Sequence, residues 1–109
     1  MGKDTKYARV SRQRFKPGRR EEGNAIVAGF LKEEEEGYLG YIALNSLDDP
    51  DTATYITFWT SEEAMVHSIE VNRENVYRAL GDLIAGTTDM EHSEIQDMVL
   101  DRVLKVEAR

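Results

Sequence analysis

The chain contains no cysteine, and this absence excludes disulfides, thiolate metal sites and a cysteine nucleophile together. The redox compartment is left unread for the same reason. Long apolar runs are missing too, so the sequence offers neither a bilayer-spanning helix nor the core of a signal peptide. Positive charge is in the minority: 14 Lys and Arg stand against 21 Asp and Glu, a net charge of -7. Phosphate binding needs clustered positive charge, so no nucleic-acid partner is expected. Gly37-x-x-Gly40 is too short for a phosphate loop and runs into a strand pattern rather than a helix, so no nucleotide cofactor is expected. What is present, 109 residues with 40% hydrophobic and 32% charged, suits one soluble, cytoplasmic domain with a modest core and a flexible lead-in over residues 1–6.

The minority charge is concentrated. Between Lys3 and Arg20 lie eight Lys and Arg (Lys3, Lys6, Arg9, Arg12, Arg14, Lys16, Arg19 and Arg20), with Asp4 as the only acid. Such a patch attracts an anionic ligand, or it marks an edge strand protected from aggregation by exposed charge. The run Glu33 to Glu36 reads as solvated helix surface.

Periodicity supplies the elements. Tyr7 to Phe15 alternates around Ala8 and Val10, a first strand stopped by Lys16-Pro17-Gly18. Ile26, Val27, Phe30 and Leu31 mark one face of a helix within 19–36, with Gly37 as its terminator. Tyr38 to Asn45 and Thr54 to Trp59 read as an antiparallel pair joined by an Asp-Pro-Asp turn. Asp48, Asp49 and Asp51 lack the ligand spacing, glycine and closing Glu of a calcium loop. Thr60 or Ser61 caps the next helix, whose inner face takes Ala64, Met65 and Ser68 with His67 on its border. A second helical run follows over Val76, Tyr77, Leu80, Leu83 and Ile84. In the tail, Ile95, Val99 and Val103 favour a helix, whereas Met98, Leu100, Leu104 and Val106 favour a strand.

With a strand at the end, the order is βαββαβ, an α+β ferredoxin-like fold with a four-stranded antiparallel sheet. The stretches FKPGRREEGN, EEGYLGYIAL and DDPDTATYITFWTSEEAMVHSIE, taken in order, resemble the antibiotic biosynthesis monooxygenase family from about Tyr7 to Leu83. The resemblance implies a dimeric α/β barrel, with two sheets face to face and a small pocket between each sheet and its helices. It also implies chemistry that ranges from cofactor-free oxidation of quinols or anthrones by dioxygen to haem degradation. Trp59 and Ser61 fall on the family's Trp and helix cap, and His67 on its helical His. The Asn that quinone-forming members carry four positions before the Trp is Tyr55 here, and the Tyr six positions after it is Met65. The first strand has no Asn, which haem-degrading members use.

Trp59 and His67 are therefore the candidate catalytic residues, with His67 as base, and Tyr41, Tyr55 and Met65 the candidate substrate contacts. Each has a plainer role available: Trp59 as a core anchor, His67 as a helical residue bonded to a neighbour, the tyrosines as fillers of a sheet face. Glu63 and His67 share a helix face, but no third metal ligand is evident and Glu63 suits a capping role, so no metal is expected. His92 sits in a polar stretch and is expected at the surface. Two functions stand. One is a cofactor-free monooxygenase oxidising a small quinol or polycyclic aromatic. The other is a non-catalytic or differently catalytic dimeric-barrel protein that binds a small apolar ligand. Both parities of the strands carry large side chains, so the face left open by the helices is expected to pair with a second copy.

Overall fold

The computed structural model describes residues 5–100 and 106; the expectations for residues 1–4, for Val103 and for Leu104 lie outside the described residues. Strand β1 (Tyr7–Arg14) is followed by helix α1 (Arg20–Leu31), strands β2 (Tyr38–Asn45) and β3 (Thr52–Trp59), helix α2 (Glu62–Leu80) and strand β4 (Asp89–Glu94). The sheet order is β2-β3-β1-β4, with every neighbouring pair antiparallel. This is the α+β ferredoxin-like βαββαβ fold expected from the periodicity.

Each boundary has a local cause. Gly18, with φ of 78°, turns the chain out of β1, and its N–H donates to Asp51 Oδ1 at 3.0 Å. Arg20 opens α1 and reaches across to the β2–β3 turn, where it donates to the carbonyls of Ser46, Asp49 and Thr52 at 3.0 to 3.1 Å. Asp49 closes that turn by accepting from the Asp51 N–H and the Thr52 hydroxyl, bonds that hold its carboxyl below the usual range. The acidic turn is therefore held by its own hydrogen bonds. Ser61 caps α2 by accepting from Ala64 N at 3.1 Å, with Glu62 and Glu63 in the first turn where the helix dipole favours them.

Four expectations need correction. Helix α1 ends at Leu31, so Glu33 to Glu36 lies in the loop after it, and Gly37 (φ 83°) leads into β2 instead of ending the helix. A Cβ at Gly37 would stand 2.6 Å from Ala64 Cβ, so the close approach to α2 demands glycine there. The two helical runs after Trp59 join in one helix as far as Leu80, whereas Leu83 lies in a short 3-10 turn and Ile84 is extended, bridged to Phe15. The fourth strand is Asp89–Glu94, a polar segment that pairs with β1 from Tyr7↔Glu94 to Arg12↔Asp89, whereas residues 95–100 form no regular element. Finally, β1 is an inner strand, so its arginines do not guard an edge.

Both helices lie on one face of the sheet. Strand β3 sends Ala53, Tyr55, Thr57 and Trp59 inward, all buried, and β1 sends Arg9, Ser11 and Gln13 the same way, with Phe15 buried just past its end. Phe15, Val27, Ala53, Tyr55, Leu80 and Leu83 form the core at one end. Trp59 and Met65 are buried at the other. The opposite face carries an apolar row, Ile42–Ile56–Val10, across three strands. Neither α1 nor α2 covers it, and Ile42 and Leu44 are 46% and 45% exposed.

Candidate functional site

Between the inner face of the sheet and the two helices lies a cavity of about 130 Å³. Its apolar wall comes mainly from the helices: Val27, Phe30 and Leu31 of α1, with Ile69, Val76, Tyr77 and Leu80 of α2. Its polar wall comes mainly from the sheet, through Arg9, Ser11, Gln13, Tyr55 and Thr57. Ser68, Asn72 and Arg73 of α2 complete it, with Thr88 and Met90 at the β4 end.

The sheet register explains this composition. The alternation of β1 sends its apolar set, Ala8 and Val10, to the open face and its polar set into the cavity. Arg9 is thereby drawn under α2, where it donates to the Met65 carbonyl and to Ser68 Oγ. Its Nε donates to His92 Nε2 at 3.2 Å on the neighbouring strand. The guanidinium stands 5.4 Å from the centroid of the Trp59 ring, which in turn lies 4.9 Å from that of Tyr38. Burial lowers the pKa of Arg9, partly opposed by the fields of Glu35 and Tyr38, yet an arginine remains a cation at any ordinary pH. His92 is also pushed down, first by burial and then by Arg9, so the neutral ring that accepts the Arg9 hydrogen bond is the favoured form near pH 7.

Tyr55 is the one expected substrate contact that lines the cavity. Its hydroxyl donates to Asn24 Oδ1 at 2.5 Å, and burial raises its pKa, so it stays a neutral phenol. Gln13 is fixed by a bond from its amide to the Arg14 carbonyl at 2.7 Å and by one accepted from Thr88. Asn72 donates to Glu35 Oε2 at 3.1 Å.

The other expected residues sit elsewhere. Trp59 is 2% exposed, behind Arg9, with its indole N–H committed to Thr57 Oγ1 at 2.8 Å. Met65 is buried beside it and reaches the site through its backbone carbonyl. Tyr41 is half-buried opposite Thr57, two strands away from Arg9 in the same row. His67 does not border the inner face: its side chain is 70% exposed and lies 3.7 Å from Glu70. One residue along the helix, Ser68 takes the buried position, because 100° of rotation separates neighbours on a helix. His92 is exposed, as expected, but bonded to Arg9. Arg9, Asn72 and Thr88 carry no sequence motif; the one available signal was that Arg9, Ser11 and Gln13 share a parity on a strand beneath two helices.

Among the described residues, no three His, Asp or Glu side chains gather as a metal-binding group. No helix among them is long and apolar enough to cross a membrane.

The model of the family described as antibiotic biosynthesis monooxygenase matches residues 7–68, from the start of β1 through Ser68. The chain belongs to this family. Several solved structures share its fold. A protein of unknown function from Nitrosomonas europaea is 21% identical over 94% of this chain and 100% of its own, with a TM-score of 0.74. SnoaB, a cofactor-independent oxygenase from Streptomyces nogalater, is 17% identical over 86% of this chain and 96% of its own, with a TM-score of 0.70. A protein from Mycobacterium tuberculosis is 18% identical over 87% of this chain and 99% of its own, with a TM-score of 0.71. No curated protein matches the sequence.

Proposed function

We propose that the protein is a cofactor-free monooxygenase that oxidises a small quinol with dioxygen in the cavity between sheet and helices. The carrying observation is the cavity itself, in a chain of this family: apolar on the helix side, with fixed polar groups and one guanidinium on the sheet side. Its size selects among substrates. An engineered cavity of about 150 Å³ accommodates one benzene ring, so about 130 Å³ suits one ring rather than a polycyclic anthrone.

The substrate supplies the electrons. A quinol that loses a hydroxyl proton becomes an anion able to reduce dioxygen. One oxygen atom then forms a new C–O bond in place of a ring C–H, the other leaves as water, and the ring ends as a hydroxyquinone. The positive potential of Arg9 favours that anion, since an opposite charge within about 4–6 Å lowers an acid's pKa by roughly 1–3 units. The helix-side residues exclude water, and neutral Tyr55 offers an edge to the ring. A homodimer joined through the open sheet face, working in the cytoplasm, completes this reading.

One observation favours binding without turnover: the cavity wall contains no carboxylate or imidazole to take a proton. Oxygen-electrode measurements with a panel of one-ring quinols test the oxygenase reading. Uptake that persists in chelator and yields a product that has gained one oxygen atom and lost two hydrogens is expected; no uptake across the panel leaves the binding protein.

A further inference from the structure

The chain carries seven more acids than bases, yet the cavity wall holds two arginines, Arg9 and Arg73, and no Asp or Glu. The imbalance of the whole chain is reversed in this wall. Arg9 is half-buried, and among the described residues it forms no ion pair with a carboxylate. Its hydrogen bonds go to neutral acceptors: a carbonyl, a hydroxyl and an imidazole. Glu35 is near enough to be felt, but its Oε2 is taken by Asn72. A cation partly withdrawn from water with no carboxylate in contact is a costly arrangement, even with the field of Glu35 nearby, and an incoming anion at the guanidinium relieves it. Arg73 is exposed, with its guanidinium 5.7 Å from the Tyr77 ring centroid, and adds positive potential from α2.

We propose that the cavity takes its ligand as a preformed anion, a one-ring aromatic carboxylate whose carboxylate is the counter-ion of Arg9. This rests on the cavity being the ligand site but not on oxygen chemistry. Arg9 is then a specificity-determining residue. Its Nε and one terminal nitrogen are engaged by His92, Met65 and Ser68, and its Nη1 has no hydrogen-bond acceptor among the described residues. A ligand with the same ring and a neutral amide in place of the carboxylate fills the same volume and leaves the cation unpaired.

Trp59, the only tryptophan, reports on the site because it is buried against Arg9. Its fluorescence is to be titrated with benzoate and with benzamide, in the wild type and in Arg9→Met, whose fold is checked by circular dichroism. Benzoate is expected to bind roughly tenfold to a hundredfold tighter than benzamide, the usual range for a charge-assisted hydrogen bond, with the preference gone in Arg9→Met. If Arg9→Met does not fold, Arg73→Gln replaces it at an exposed position, and a several-fold smaller preference is expected. Equal affinity for the two ligands, no benzoate binding, or a preference untouched in the folded variant overturns the proposal. Dihydroxybenzoates in the oxygen electrode separate the two readings. Benzoate selectivity without oxygen uptake removes the oxygenase and keeps the anion site; uptake with neutral quinols and no benzoate selectivity does the reverse.

Discussion

The Arg9 guanidinium carbon lies over the Trp59 ring, 5.4 Å from its centroid, and Arg9 rather than Trp59 lines the cavity. Trp59 anchors one end of the inner face and holds the charge in position. With its indole N–H already bonded to Thr57, it has no donor left for a ligand. A cation–aromatic contact of this kind contributes about 0.5–2 kcal/mol, more as water is excluded.

His67 occupies the opposite situation. Its exposed ring and its 3.7 Å contact with Glu70 make an i,i+3 surface pair, a class that contributes about 0–1 kcal/mol. His67→Ala is expected to change unfolding free energy by no more than about 0.5 kcal/mol and to leave cavity binding and any oxygen uptake unchanged. A tenfold loss of either in the variant would return His67 to the site.

Gly23 and Gly29 lie on the same helix and should respond oppositely to alanine. At Gly23 a Cβ would stand 2.2 Å from the Phe15 ring, which is 1% exposed and has nowhere to move. Overpacking costs about 1–3 kcal/mol, and so tight a contact belongs at the upper end, beyond the gain of about 1 kcal/mol from better helix propensity. At Gly29 a Cβ meets nothing within 4 Å, so only the gain remains. Urea melts should show Gly23→Ala less stable than wild type and Gly29→Ala more stable. Stabilisation by both would mean that Phe15 can yield.

The fold was legible where local chemistry and periodicity agreed: a cap at Thr60 or Ser61, of which the structure uses Ser61, the Asp-Pro-Asp turn, and the β3 alternation that separates Tyr55 and Trp59 from Ile56 and Phe58. It was illegible at β4, because Asp89–Glu94 is held by backbone pairing with β1 and has almost no apolar side chain to betray it. Within the site, the residues of a recognisable motif pointed to Trp59 and His67. The cavity wall is set by register between distant segments, 75 residues apart in the case of Gln13 and Thr88, and register is not written in either segment alone.

Tyr55 makes stability sensitive to alkali. Burial raises its pKa in the folded protein, while the unfolded chain ionises near the ordinary tyrosine value of about 10. Below that pH its phenol is neutral in both states and the folded form keeps its full stability. Above it the unfolded state gives up a proton that the folded state retains, so stability falls by up to about 1.4 kcal/mol per pH unit from this residue. Tyr55→Phe removes that slope but also the bond to Asn24, about 1 kcal/mol at neutral pH. Urea melts from pH 7 to 11.5 should therefore show the variant less stable at neutrality and the two proteins converging above pH 10. Parallel curves would mean that Tyr55 ionises in the folded state as readily as in the unfolded.

The open sheet face makes the last prediction. The row Ile42–Ile56–Val10 is left bare by both helices, and a two-fold pairing of this face with a second copy would cover it. In a single chain Ile42 is half in water, so Ile42→Lys should barely affect folding of the chain itself. In the pair the substitution appears twice, once from each subunit, and puts two like charges into a desolvated centre. Sedimentation at micromolar concentration should give 24.8 kDa for the wild type, twice the chain mass of 12.4 kDa, and 12.4 kDa for Ile42→Lys. Val71→Lys, at an exposed position on α2, is the matched control and should remain paired. A wild type that sediments at 12.4 kDa would show that the face is bare in solution as well, and a paired Ile42→Lys would move the interface to another surface.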